Sequence, residues 1–126
     1  MKRKQYEAAE QVKLFRWADF MSARYPEFKM LYHIPNGGSR NKIEAANLKA
    51  QGVKSGVPDI CLPVPSGKYH GLYIEMKYGK NKLTENQAEW LKHLNKFGYA
   101  VRVCYSWQEA GEALCRYLNI DYKFRG

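Results

Sequence analysis

The chain lacks any stretch near the roughly 20 apolar residues that a membrane-spanning helix needs, so no membrane association is expected. No apolar run with a small-residue cleavage site follows the basic start Met1-Lys2-Arg3-Lys4-Gln5-Tyr6, so a secretory leader is not expected. Cysteine is scarce and odd in number: Cys61, Cys104 and Cys115 stand far apart with no C-x-x-C pair. That excludes a zinc knuckle and a disulfide framework. It suits packed thiols in a reducing cytoplasm, the expected location. Acidic residues are few, 12 against 21 Lys and Arg, for a net charge of +9. Such an excess favours an anionic partner, whether nucleic acid, a membrane surface or an acidic protein.

Within 126 residues there is room for one domain with its own core. Leu14, Trp17, Met21 and Tyr25 recur at helical spacing, which predicts a helix from about Tyr6 to Tyr25, stopped by Pro26. Met30 to Ile34 reads as a short strand, and Pro35 to Ser39 as a loop. Asn41, with Glu44 three residues on, predicts the start of a helix from Lys42 to Gln51, ended by Gly52.

Two strands follow, Ile60 to Val64 and Leu72 to Lys77, joined by the turn Pro65-Ser66-Gly67-Lys68. Thr84 with Gln87, and Ser106 with Glu109, are capping-box patterns for two more helices, the first closed by Gly98 and the second ending near Leu118. Tyr99 to Tyr105 lies between them as a strand. The order implies an α/β fold with a mixed central sheet flanked by helices. Asn119 to Gly126 reads as a mobile tail.

In Leu72 to Lys77 the residues alternate. Leu72, Ile74 and Met76 take one face, Tyr73, Glu75 and Lys77 the other. A Glu and a Lys on one face can hold a cation and a water side by side. An exposed ion pair is the bland alternative. Asp59 opens the preceding strand. If Val64 faces Gly71, Asp59 falls opposite Met76, one residue off the Glu75 face. A bulge or a bend at the strand start, where Pro58 sits, would bring the two carboxylates together. Two carboxylates that meet need a cation between them, and hard oxygen ligands suit Mg²⁺ or Mn²⁺.

These residues carry a resemblance. Pro58-Asp59 followed by Glu75-Met76-Lys77 matches the PD-(D/E)XK nuclease signature. Its surroundings add weight: His33-Ile34-Pro35-Asn36-Gly37-Gly38-Ser39-Arg40, then Gly52-Val53-Lys54-Ser55-Gly56-Val57, and later Thr84, Gln87, Trp90, Leu94 and Gly98. From about Glu10 to Trp107 the chain resembles the VRR-NUC domain, the virus-type replication-repair branch of those nucleases, in its standalone form.

The resemblance implies a restriction-endonuclease-like core and a metal-dependent DNA endonuclease. Asp59, Glu75 and the backbone carbonyl of Met76 would hold Mg²⁺ or Mn²⁺, and Lys77 would orient or help activate the attacking water. Glu10 is the position matching a helix glutamate that completes the site, with Glu7 as the fallback; a glutamate near a helix start can also simply suit the helix dipole. Gln87 matches a family position near the active site, in competition with its capping role.

DNA phosphates would meet Arg40, Lys42, Lys49, Lys54, Lys80 and Lys82, and the Asn36 to Gly38 loop could offer N–H groups or be an ordinary turn. Four-way junctions are a leading substrate of such proteins. Their two-fold symmetry calls for two active sites and hence a homodimer, for which the 14% aromatic content could supply an interface. No nucleotide cofactor is expected. A DNA-binding module without catalysis is the alternative function, and an interaction subunit for an acidic protein a third.

His33, His70 and His93 have no metal-ligand spacing; His33, ahead of the loop, could touch substrate or be structural. Trp90, Leu91 and Leu94 read as core, and Cys61 as a small packed hydrophobe.

Overall fold

A computed structural model describes residues 3–35 and 41–124. Helix α1 spans Arg3–Ser22, and a 3-10 turn over Pro26–Met30 leads into β1, Tyr32–His33. Helix α2, Lys42–Ala50, precedes β2, Ile60–Leu62, and β3, Leu72–Met76. Helix α3, Glu85–Lys96, then β4, Ala100–Cys104, and α4, Trp107–Leu118, complete the order. The strands lie side by side as β1-β2-β3-β4. The first two pairings are antiparallel and β3 runs parallel to β4. A parallel neighbour needs a crossover, and α3 supplies it. The fold is therefore α/β with a mixed sheet, as the element order implies.

The alternation in β3 sets the core. Ile60 and Leu62 face Ile74 and Leu72 across the ladder, and all four are buried with Met76. Leu14, Trp17, Ala18 and Met21 of α1, with Ala110, Leu114 and Cys115 of α4, belong to the same cluster. Helix α3 adds only Leu91 to the buried residues, and α2 adds none. Among the described residues no helix is long and apolar enough to cross a membrane.

Local signals place most boundaries. Asn41 Oδ1 accepts the N–H groups of Ile43 (2.8 Å) and Glu44 (3.2 Å), so α2 starts at its cap. Gly98, at φ +95°, closes α3 in the left-handed region that glycine enters without strain. Three expectations shift. The strand expected from Met30 begins two residues later, because Pro26 starts a helical turn rather than simply ending one. Strand β2 stops at Leu62, since Pro63 and Pro65 have no N–H for the ladder. The tail is not loose up to residue 124: Tyr122 and Phe124 pack on Trp17 at 5.7 and 5.2 Å between ring centroids, and Phe124 on Trp107 at 5.9 Å.

Candidate active site

Asp59 lies at a bend directly after Pro58, where β2 is about to begin, and it meets Glu75 there. Ile60 pairs with Ile74, Cys61 with Tyr73 and Leu62 with Leu72, so one step further sets Asp59 opposite Glu75. Nearer the turn, Ser66 bridges Tyr69, a register shifted by one. There are four steps from Leu62 to Ser66 but three from Tyr69 to Leu72, so the extra residue lies in Pro63-Val64-Pro65. The expected register holds at the turn and is corrected before the strands begin. A bulged stretch of this kind re-aims the side chains beyond it.

Asp59 Oδ2 accepts the Met76 N–H at 2.8 Å. A strand residue's N–H and C=O point to the same side, so the Met76 carbonyl also faces Asp59, past the last paired residue of β2. Glu75 is 3% exposed, and no donor reaches its buried Oε1. Burial, then the neighbouring charge and carboxyl of Asp59, push the Glu75 carboxyl up to about 8, against the opposing pull of Lys77. Glu7 adds to the rise, which places its charge close by. Lys77 is itself buried, and its N–H continues the ladder to Cys104 O at 2.8 Å.

The walls come from five segments. Glu7, Ala8 and Gln11 of α1, His33 of β1, Asp59 ahead of β2, Glu75, Met76 and Lys77 at the end of β3, and Gln87 of α3 enclose a pocket of about 280 Å³. Gln87 holds both of its expected positions at once, in the helix cap and against the carboxylate pair. Its Oε1 accepts the Thr84 N–H (2.9 Å), its own N–H donates to Thr84 Oγ1 (3.2 Å), and its Nε2 donates to Glu75 Oε2 (3.3 Å). The cap fixes the amide's orientation: the oxygen must face the Thr84 N–H, so the NH₂ faces the carboxylate.

Glu10 is not among these walls. Its Oε1 accepts the Trp107 N–H at 3.1 Å, and its Oε2 lies 3.4 Å from Lys13 Nζ. It satisfies an otherwise orphan donor at the start of α4. Glu7, one turn earlier, takes the place expected for Glu10. Residues three apart share a helix face, so spacing alone cannot separate the two turns. Sequence position alone does not decide between a structural and a substrate-facing His33. Its Nδ1 donates to the Asp59 carbonyl at 2.9 Å, beside the Ile34 N–H at 2.7 Å, and its ring lines the pocket.

The loop before Asp59 is tied to α3. Trp90 Nε1 donates to Ser55 O (3.1 Å) and Asn86 Nδ2 to Ser55 Oγ (3.3 Å). Gly56 sits at φ +89°, and a Cβ there would come within 2.8 Å of Asn86 backbone, so only glycine allows this approach. Nothing in the sequence joins Ser55 to Trp90, so this tie was not legible there.

The expected phosphate contacts divide. Lys49 and Lys54 line a groove of about 1030 Å³ between α2 and α3, which shares Gln87 with the carboxylate pocket's wall. Lys42 is exposed at the start of α2, and Lys80 and Lys82 are exposed on the loop after β3. Asn36, Gly38 and Arg40 lie outside the described residues.

Among the described residues no three His, Cys, Asp or Glu side chains form a ready-made metal cluster. The donor set still fits a hard divalent cation. Mg²⁺ binds through one or two carboxylates and keeps several waters. Here two carboxylates converge, one with a buried oxygen that no donor satisfies, beside a carbonyl on the same side.

The family model for the VRR-NUC domain matches residues 3–108. A solved structure described as a VRR_NUC domain protein is similar over 91% of this chain and 89% of its own, at 30% identity and a TM-score of 0.79. No curated protein matches the chain.

Proposed function

Because the chain belongs to the VRR-NUC domain family, a nuclease family with the PD-(D/E)XK-like fold, we propose that it is a metal-dependent DNA endonuclease selective for branched structures such as four-way junctions. The observation that carries this reading is the meeting of Asp59 and Glu75 beside Lys77, with Glu75 Oε1 buried and without a donor. A surface ion pair would not bury Glu75 so deeply. A binding module would gain nothing from two carboxylates held face to face, each repelling a phosphate.

Asp59, Glu75 and the Met76 carbonyl would hold Mg²⁺ or Mn²⁺, which lowers the pKa of bound water and offsets charge on a phosphate. Asp59 is held for this by the Met76 N–H, and Glu75 by Gln87. Lys77, itself buried, sets a positive group against the pocket, where it can orient the attacking water and favour the charge that grows on the phosphoryl oxygens. Glu7 faces the same space and limits what else can enter. Exposed Lys42, Lys49, Lys54, Lys80 and Lys82 would meet phosphates on either side, giving grip without base reading.

A two-fold junction cut twice needs two such pockets, and hence a homodimer. The outer face of α1 offers apolar surface for isologous contact, with Phe20 70% exposed and Val12, two turns earlier, 50% exposed. Three free, buried cysteines suit a cytoplasmic setting.

The test is cleavage of labelled four-way junction, flap and linear duplex with Mg²⁺, with Mn²⁺ and with chelator, beside Lys77→Ala. Metal-dependent cutting that ranks branched DNA first, lost in the variant while DNA binding stays, is the expected result. Tight binding without cutting of any substrate would leave a non-catalytic DNA-binding module. Cutting retained in Lys77→Ala would remove Lys77 from the chemistry.

A further inference from the structure

Two tyrosines from separate elements stack on each other beside residues of the carboxylate pocket's lining. Tyr6 precedes Glu7 and Tyr78 follows Lys77, and both of those neighbours line the pocket. Their rings lie 4.5 Å apart and within 9° of parallel, and each residue keeps 37% of its surface open to solvent. The other ring pairs among the described residues meet at 40° or more and gather chiefly around Trp17, where they pack core.

The segment after Tyr78 is basic and held in place. Gly79 turns it at φ +62°, Lys80 and Lys82 point into solvent, and Tyr105 donates its O–H to Asn81 O at 2.9 Å.

We propose that Tyr6 and Tyr78 form a stacking platform for an unpaired nucleobase of the DNA substrate, next to the phosphate that enters the pocket. The proposal rests on the nuclease reading and specifies which DNA it prefers. A flat aromatic surface bordered by lysines matches a nucleotide, with its π-face beside a phosphate. It does not match an intact duplex, whose bases already stack on one another. The platform therefore rewards a branch point, flap or frayed end, where a base near the cut is free. This would give selectivity for structure without any contact to a base edge. The alternative occupants are a protein surface and none at all, the stack then only fastening α1 to the end of β3.

Binding is measured in chelator, so that neither metal nor cleavage enters. The probes are a flap DNA with 2-aminopurine as its first unpaired nucleotide and a fully paired duplex of the same length. Tyr6→Ala and Tyr78→Ala are expected to weaken flap binding about tenfold each and duplex binding by less than about twofold. Tyr78→Phe keeps the ring and should bind as the native protein does. The 2-aminopurine emission should drop on binding the native and Tyr78→Phe proteins and stay near the free value with the alanine variants. Equal losses on flap and duplex, or no emission change with the native protein, would overturn the platform and leave a structural stack. A change of oligomeric state in the alanine variants would overturn it in favour of a protein interface. Because binding is read without cutting, a protein that proves inactive would sink the nuclease reading and leave this result standing on its own.

Discussion

Helices α3 and α4 begin on the same four-residue pattern, Thr84-x-x-Gln87 and Ser106-x-x-Glu109, and put it to different uses. At α3 both bonds of the box close, and the amide left over reaches Glu75. At α4 only the Ser106 side closes, from the Glu109 N–H at 3.1 Å. Glu109 turns instead to the Tyr105 N–H at 3.2 Å, and Glu10 takes the Trp107 N–H. The chemical difference lies in the third residue after the cap. An amide has an acceptor for the helix and a donor to spare, whereas a carboxylate has acceptors only. Gln87 can therefore face a buried carboxylate, where a glutamate would meet it with like charge. One helix start serves the site, the other the fold.

The largest effect expected is from Glu75→Gln, which should abolish metal-dependent cleavage. It should also flatten a pH dependence. The folded-state Glu75 value, about 8, lies above that of the unfolded chain, so protonation favours the folded, metal-free protein. That stabilisation is complete below the ordinary carboxylate range and is lost as pH rises through about 8. In chelator the native protein's melting temperature should fall over this window, and the variant's should fall less. Matching slopes would mean that Glu75 carries no raised value.

Gln87→Glu is the next in size and tests the contrast between the helices directly. A glutamate keeps the cap but loses the donor. Cleavage should drop by roughly 10- to 100-fold, as for other residues that hold a metal ligand, with melting in Mg²⁺-free buffer near the native value at low pH. Native rates would place Gln87 in the helix cap alone.

Thr84→Ala and Ser106→Ala should each cost about 1 kcal/mol of stability in denaturant titration. Only Thr84→Ala should also slow cleavage, by a few-fold, through the freed Gln87 amide. Equal rates in the two would erase the distinction. Smallest of all, Glu10→Gln should cost about 0.5 kcal/mol at the α4 start and leave metal-dependent rates unchanged. A loss of metal affinity there would return Glu10 to the site.

Much of this was legible along the chain, for a local reason. Alternation in Leu72 to Met76 separates core from site by side-chain direction alone. The Asn41 and Thr84 caps bond groups two or three residues away. Gly98 ends a helix because of its own backbone freedom. Asp59, Glu75 and Lys77 stand out because the motif joins them, and their convergence follows from a hairpin.

What the chain could not decide was long-range. Whether Asp59 faces Glu75 or Met76 turned on one extra residue at Pro63 to Pro65, which the turn and the two proline-blocked positions absorb together. Whether Glu7 or Glu10 enters the pocket depended on where α4 presents an unpaired N–H, almost a hundred residues away. The stacking of Tyr6 on Tyr78 and the tie of Ser55 to Trp90 each join segments with no shared pattern. Pattern fixes which way a side chain points within its own element. Only packing decides which partner it finds there, because a helix turn or a strand register can shift by one step at little local cost.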